Sequence, residues 1–477
     1  MTSQRILAQP FLYLVLQAVV VFVLLFTLGR GEVHETPDSV GYLQFQMNSV
    51  AEALAQMRSV GYPLFVKGLK ALSPSLSALP YVQVLLFFAA ALLFYKALVM
   101  YGLSGWMAFA AISPLFYERL AWHYGSFVMA DLPAAALASM AISCIFFVVS
   151  RTGSPIAWIG FTLCVFLAYQ VRPAYVFLVP LAPVLVYVLM KIRQSTLRGA
   201  NRTRNVIAAT VLATFLPLLA FCGLRYVTVG HFGLVSFAGV EQVGITTQFL
   251  TKGMVERFDP ELRPLATAVL EARDRDQLSV PDGMSMFPMP QFMHYYMAHQ
   301  RLVCDTIRAI GLQRVKPEAS HSFSPQYNGP DDQAEVDRWA QRLAWATFRA
   351  RPDIHALYYI KAVFYSVSFS LYAEGLTTVL LLILFGTFLF QIIWGLPRRL
   401  RSKEPDHSPL TTTQQLAALV CLAGLFYLSK ILLATAVVAP AGRVLIAASM
   451  FIPCALGAGI LVRLRAGFRV EERKSNA

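Results

Sequence analysis

Residues 11–29 read FLYLVLQAVVVFVLLFTLG, nineteen positions without a single charge. At ~1.5 Å of rise per residue, a helix of that length matches the ~30 Å hydrocarbon core of a bilayer. Immediately afterwards, residues 31–42 read GEVHETPDSVGY, with carboxylates, a histidine and a helix-start signal at the mouth of the apolar run. The run is longer than the apolar part of an ordinary secretory signal and no small-residue cleavage site follows, so it reads as an uncleaved anchor.

The rest of the chain repeats this pattern. Of 477 residues, 57% are hydrophobic and 14% charged, with a mean hydropathy of +0.57. That is too little charge to coat a soluble globule, and the chain reads as an all-α polytopic membrane protein. Apolar runs near 11–29, 80–100, 103–117, 131–150, 155–171, 174–190, 206–229, 373–396, 414–438 and 443–462 predict about ten spans. They divide the chain into an N-terminal transmembrane module (1–229), an insertion (230–356) and a C-terminal transmembrane module (357–477).

The formal net charge of +14 could point to nucleic acid, but the basic residues sit in short connections between apolar runs. Lys191, Arg193, Arg198, Arg202 and Arg204 follow the sixth run, Arg398, Arg399, Arg401 and Lys403 the eighth, and Arg463, Arg465, Arg469, Arg473 and Lys474 the last. With Arg5 and Arg151 they fall on one side, which predicts cytoplasmic termini, a plasma (inner) membrane location and no nucleic-acid partner. GEVHETPDSVGY then faces outward. Only Cys304 of the six cysteines lies in an outer segment, so no disulfide framework is expected.

Two outer segments are long. In 30–79 the apolar positions Val40, Leu43, Met47, Val50, Ala51, Leu54 and Met57 recur every three or four residues, predicting one interfacial helix capped by Thr36 or Asp38 and ended at Gly61, with a second over 63–72. The insertion has helical spacing at 258–274, 289–311 and 331–351, separated by Pro- and Gly-containing stretches. A further amphipathic stretch runs over 352–372.

No phosphate-cradling G-x-x-x-x-G-K-[ST] loop, H-E-x-x-H, C-x-x-C or G-x-S-x-G occurs, which disfavours an ATP-driven pump and the soluble-type zinc and serine hydrolases. The triplet Asp274-Arg275-Asp276 matches a metal-holding Asp-x-Asp, but it ends a predicted helix with no nucleotide fold around it. Asp38 stands at a helix start beside the first span, where a carboxylate can take a proton from a hydroxyl or simply cap the helix. SPLFYERLAWHYGSFVMADLPAAAL (113–137) adds Glu118, Arg119, His123 and Asp131; an aspartate opening an apolar run needs a partner or caps that run. Arg172, Arg225, Lys430 and Arg443 bring positive charge to the same side, able to hold a phosphate or to snorkel to headgroups.

The order of an apolar anchor, P-D-S-V-G-Y (37–42), an amphipathic helix, R-S-V-G-Y-P-L-F (58–65), a span and then A-D-L-P-A-A (130–135) resembles the GT-C membrane glycosyltransferases. Within them it is closest to the dolichyl-phosphate-mannose protein mannosyltransferases and the bacterial aminoarabinose and galacturonic acid transferases of lipid A. The resemblance covers roughly 1–190, with weaker echoes in 349–359 and 440–443. It implies a GT-C-like helix bundle and inverting transfer of a sugar from a polyprenyl-phosphate donor to a glycolipid, glycan or protein acceptor outside the membrane. It further implies Asp38 as base, Asp131 or else Glu118 as the second acidic residue, and Arg172, Arg443 and Lys430 as holders of the lipid phosphate. The chain departs from the family at Asp131, where many relatives have Glu, and at Val444, where a tyrosine is usual. It also has a helical insertion where the mannosyltransferases carry a β-trefoil. A divalent metal could be held by His34, Glu35 and His123, although no spacing demands one. A transporter or flippase of lipid-linked sugars, or a non-catalytic envelope-assembly subunit, would share the spans. The transporter would place charges along the span interiors rather than at their outer edge.

Overall fold

A computed structural model describes residues 3–151, 153–194, 200–277, 299, 307, 310, 330–373, 375, 377–384, 410–437, 445 and 447–475. The N-terminal half comprises α1 (Ser3–Thr27), α2 (Pro37–Leu43), α3 (Val50–Ala55), α4 (Gly61–Leu72), α5 (Leu79–Tyr101), α6 (Gly105–Ile112), α7 (Arg119–Tyr124), α8 (Asp131–Ser150), α9 (Pro155–Val171), α10 (Leu178–Gln194) and α11 (Ala200–Val229). The insertion holds α12 (Ala238–Thr246), α13 (Lys252–Val255), α14 (Arg263–Arg275) and α15 (Pro330–Ala350), and the C-terminal part α16 (Pro352–Ala373), α17 (Thr412–Val437) and α18 (Ile452–Ser475). Three 3₁₀ turns, Ser113–Tyr117, Pro173–Phe177 and Thr247–Phe249, connect neighbouring helices. Among the described residues there is no strand, only an isolated parallel bridge between His34 and Phe127.

Among the described residues, six helices are long and apolar enough to cross a membrane: Gln9–Thr27, Leu79–Tyr101, Asp131–Ser150, Pro173–Arg193, Asn201–Val229 and Thr412–Val437. The chain is therefore a membrane-embedded helical protein. Of the ten expected spans, the one over 155–171 forms a shorter apolar helix, and 103–117 breaks into α6 and a 3₁₀ turn at Ser113 and Pro114. Proline at the start of that turn cannot donate back to the preceding turn of α6. The expected spans 373–396 and 443–462 lie partly outside the described residues.

The burial pattern shows what solvates each helix. Along α1, Leu14, Ala18, Val21 and Leu25 are buried at helical spacing, while Leu12, Leu16, Val19, Val20 and Val23 are all about half exposed. Only a hydrocarbon solvent makes such an exposed stripe favourable. At the centre, α8 is buried on nearly every face, and Ala134, Ala135, Ala136, Ala138 and Ala141 have no exposed surface at all. Small residues let α5 and α9 approach its backbone closely, as dispersion packing between membrane helices requires. Gly457 of α18 does the same against the Ala110 carbonyl of α6, where a Cβ would collide.

The first outer segment differs from expectation in a way that matters for the site. Instead of one helix over 40–57 there are two, because Ser49 starts a new one: its side chain accepts from Glu52 N at 3.1 Å and Glu52 accepts from Asn48 N at 2.9 Å. This reciprocal capping satisfies orphan amides within a helix that hydrophobic spacing alone would have run straight through. The insertion has its own core, built from Val240, Val243, Leu250, Leu265, Val269 and Leu343 among others.

Candidate active site

Backbone pairing holds the stretch after α1 and the stretch after α7 together. His34 N donates to Ser126 O and Val128 N to His34 O, both at 2.9 Å. Ser39 Oγ in α2 donates to Val128 O at 3.0 Å, so the helix carrying Asp38 is one hydrogen bond from the strand-like stretch that leads into Asp131. Gln83 of α5 locks this junction from beneath: its amide donates to Gly125 O at 3.0 Å and Phe127 O at 3.1 Å while it accepts from Tyr62 Oη at 3.0 Å. Burial pushes the Tyr62 phenol well above its ordinary range, which keeps it a neutral donor.

Asp38 is not the cap of its helix. Pro37 and Asp38 follow Thr36, and the reciprocal interaction is made by Thr36 and Ser39, with Thr36 N donating to Ser39 Oγ at 2.8 Å. The Asp38 carboxylate instead accepts from Arg58 Nη2 at 2.6 Å, with both side chains roughly a quarter to a third exposed. Arg58 lies over the Tyr42 ring at 5.1 Å and passes close to Gly41, where a Cβ would sit 3.2 Å from its Nε. The base candidate is therefore fixed in position and still open to the surroundings.

Asp131 is 3% exposed and forms an ion pair with Arg172. The aspartate occupies the first turn of α8, and Arg172 stands where α9 ends and the 3₁₀ turn before α10 begins. Close packing brings the first segment to the same place: a Cβ on Gly61 would lie 2.6 Å from the Gln170 carbonyl and 2.8 Å from Val171 N. Three residues after Arg172, Tyr175 Oη accepts from Lys430 Nζ at 3.0 Å, and the ammonium stands 4.1 Å from that ring centroid. Lys430 is 2% exposed. It lies within the Thr412–Val437 helix, level with the start of the Pro173–Arg193 span through its bond to Tyr175. Arg172 is in electrostatic range of both Tyr175 and Lys430. One carboxylate thus faces two cations in a buried row, and Lys430 has no carboxylate partner among the described residues.

The other candidates separate from this row. Glu118 is buried and caps α7, accepting from Arg119 N at 2.9 Å, with its charge acting on Cys454 of α18. The rings of His34 and His123 lie 5.4 and 6.0 Å from Phe127, and Glu35 is exposed. No group of three or more potential metal ligands occurs among the described residues. His123 is held below its usual range by burial and by Arg119 and Arg30. Asp274 and Asp276 are taken by their neighbours Arg273 and Arg275, and Arg273 reaches the Thr247, Gln248 and Leu250 carbonyls at the end of a 3₁₀ turn.

Arg225, expected among the phosphate candidates, is a fully buried structural anchor. It donates to Leu54 O at 2.8 Å, to Ser236 Oγ at 2.8 Å and to Gly233 O. His231 Nε2 beside it meets Asp337 Oδ2 at 2.9 Å, and Asp337 Oδ1 accepts from Gly239 N and Val240 N at the start of α12. Arg443 lies outside the described residues, as do Val444, Cys304 and most of 289–311.

Arg58, Gln83 and Tyr175 belong to the site without having been singled out as functional from sequence. Arg58 opens the R-S-V-G-Y-P-L-F stretch (58–65), and Tyr175 follows Arg172 by three residues. Gln83, the sole polar side chain in the first turns of an apolar span, carried a signal of its own. No family model, no curated protein and no solved structure matches the chain.

Proposed function

We propose that this chain is an inverting membrane glycosyltransferase that moves a sugar from a polyprenyl phosphate to an acceptor hydroxyl at the outer membrane face, with both termini cytoplasmic. The observation that carries the reading is the buried row Asp131, Arg172, Tyr175 and Lys430. It sets the Lys430 amine, which has no carboxylate partner among the described residues, beside Arg172 at the end of the bundle where α2 holds Asp38. An unpaired ammonium in a low-dielectric setting is costly, and an anion arriving with its prenyl chain in the adjoining lipid removes that cost.

In this mechanism the acceptor oxygen attacks the anomeric carbon as its proton passes to the Asp38 carboxylate. The bond from the anomeric carbon to the phosphate oxygen breaks, and its electron pair leaves with the polyprenyl phosphate. Arg172 and Lys430 receive the charge that develops on that oxygen, and Asp131 fixes the guanidinium in place before the reaction begins. A preorganised donor pair of this kind needs no nucleotide site, in keeping with the absence of a phosphate loop from the sequence. A transporter of lipid-linked sugars draws support from Lys430, a charge-bearing residue buried within a span, whereas the other candidates Asp38, Asp131 and Arg172 lie at helix ends, which favours surface chemistry over passage.

The test is mass spectrometry of envelope glycans and polyprenyl-phosphate sugars in cells carrying the intact protein, none, or Asp38→Asn at matched abundance. Loss of the same sugar from an acceptor in the last two, with the lipid-linked donor retained, is the expected result. Intact glycans in the Asp38→Asn cells would remove Asp38 from the chemistry and return the transporter and assembly readings to the front.

A further inference from the structure

In the insertion, α13, the turn over 257–262 that leads into α14 and one face of α15 enclose an open groove of about 980 Å³. Its wall is basic and aromatic. Arg342, Trp345 and Arg349 recur at helical spacing along one face of α15, and Arg257 and Arg351 add two more guanidinium groups, against Asp259 as the one acid in the lining. Two of these arginines are already paired, Arg342 with Glu261 at 3.0 Å and with Asp259 at 3.8 Å, and Arg351 with Asp353 at 2.8 Å. Arg257 and Arg349 have no carboxylate partner among the described residues, and Arg349 stands 5.8 Å over the Trp345 ring.

We infer that this groove binds an anionic saccharide, one bearing carboxylate or phosphate groups on a chain of pyranose rings. Guanidinium forks on both walls suit carboxylate and phosphate oxygens, which they can engage bidentately. Trp345 is 53% exposed inside the groove, a flat apolar surface between two cations that matches the C–H face of a sugar ring lying between its charged groups. Asp259 and Gln341 supply acceptors and a donor for ring hydroxyls. A concave, hydroxyl-ready wall fits a glycan better than the flat surface of a bilayer. Because α15 also packs on α3, the groove belongs to the same end of the molecule as Asp38. As the acceptor site, it rests on the transferase reading above.

The experiment measures binding of a fluorescent oligouronate, and of its uncharged methyl-esterified counterpart, to the full-length protein in zwitterionic nanodiscs. The charged probe should bind and the ester should not. Arg257→Ala and Arg349→Ala should each weaken binding of the charged probe by about tenfold, the scale of one lost charge-assisted contact, and Trp345→Ala should weaken it as well. Glu261→Gln, which removes the nearer of the two carboxylates at Arg342, should tighten it, a gain that misfolding cannot mimic. Equal binding of acid and ester, arginine variants that bind like the intact protein, or anionic phospholipid in the disc displacing the probe with intact affinity would each overturn the assignment. Oligouronate binding without any sugar transfer in cells sinks the transferase reading and leaves the groove standing. Transfer without oligouronate binding does the reverse.

Discussion

Asp131→Asn tests the buried row most directly. The substitution keeps the side chain's shape and removes its charge, leaving Arg172 beside Lys430 with no neighbouring anion from this pair. Asp131 is 3% and Arg172 16% exposed, so neither charge can be fully recovered by water, and removing one partner of such a pair typically costs about 3–5 kcal/mol. At about 1.4 kcal/mol per factor of ten, that is a loss of roughly 10²–10³ in the folded-to-unfolded ratio. Arg172→Met should cost a comparable amount, since it strands the carboxylate instead. The double variant removes both members together, so its cost should fall short of the summed singles by at least about 2 kcal/mol. Unfolding by sodium dodecyl sulfate in mixed lipid–detergent micelles, followed by circular dichroism, measures all three. Additivity within about 0.5 kcal/mol would refute the claim that the two residues form one electrostatic unit. On the proposed function, transfer activity should be lost in all three variants even though the double variant regains stability, because that reading assigns Arg172 to the phosphate.

Lys430→Met should leave the fold intact or slightly stabilised, since it replaces a buried cation by an apolar chain of similar length, while weakening binding of a short polyprenyl phosphate by roughly tenfold to a hundredfold. Unchanged binding by scintillation proximity assay would exclude the ammonium from the phosphate site. Gly61→Val should cost about 1–3 kcal/mol by overpacking, as its side chain meets the Gln170 backbone and not a flexible neighbour; a wild-type unfolding midpoint would show that α4 does not dock there. For His123, whose folded value is depressed below the ordinary 6.5, the unfolded chain binds more protons as pH falls through that value. Stability should therefore decline from pH 6.5 downwards and be flat above it. His123→Gln should remove that part of the decline in thermal midpoints measured across the range, and an unaltered profile would assign it to other groups.

How far the sequence could be read depends on the kind of force involved. Apolar run length identified the membrane-embedded helices because hydrocarbon imposes one requirement on every span, and α1, α5, α8 and α11 lie where their runs predict. It failed over 103–117, where the run is apolar throughout and a proline turn inside it divides the helix. It failed again over 40–57, where Ser49 and Glu52 make a local cap that period counting does not register. For the site, residue type and place along the chain were enough to single out Asp38, Asp131, Arg172 and Lys430. Pairing was not accessible in that way. Asp131 and Arg172 are brought together by two helices crossing, as are Lys430 and Tyr175, and such contacts depend on packing between segments far apart in sequence. Arg225 shows the opposite error: an arginine near a span's outer end looks like a ligand until the carbonyls of Leu54 and Gly233 are found around it.

The guanidinium of Arg225 also bears on any attempt to re-engineer the protein. It clasps the last turn of α3 through Leu54 and the first turns of the insertion through Gly233 and Ser236, and Asp337 ties the far helix of the insertion to the same knot through His231. The insertion is therefore a keystone and not an ornament. Trimming it away, or swapping in a different one, would strip Arg225 of its Gly233 and Ser236 partners and loosen its hold on the Leu54 carbonyl, four residues before the Arg58 that holds the Asp38 carboxylate.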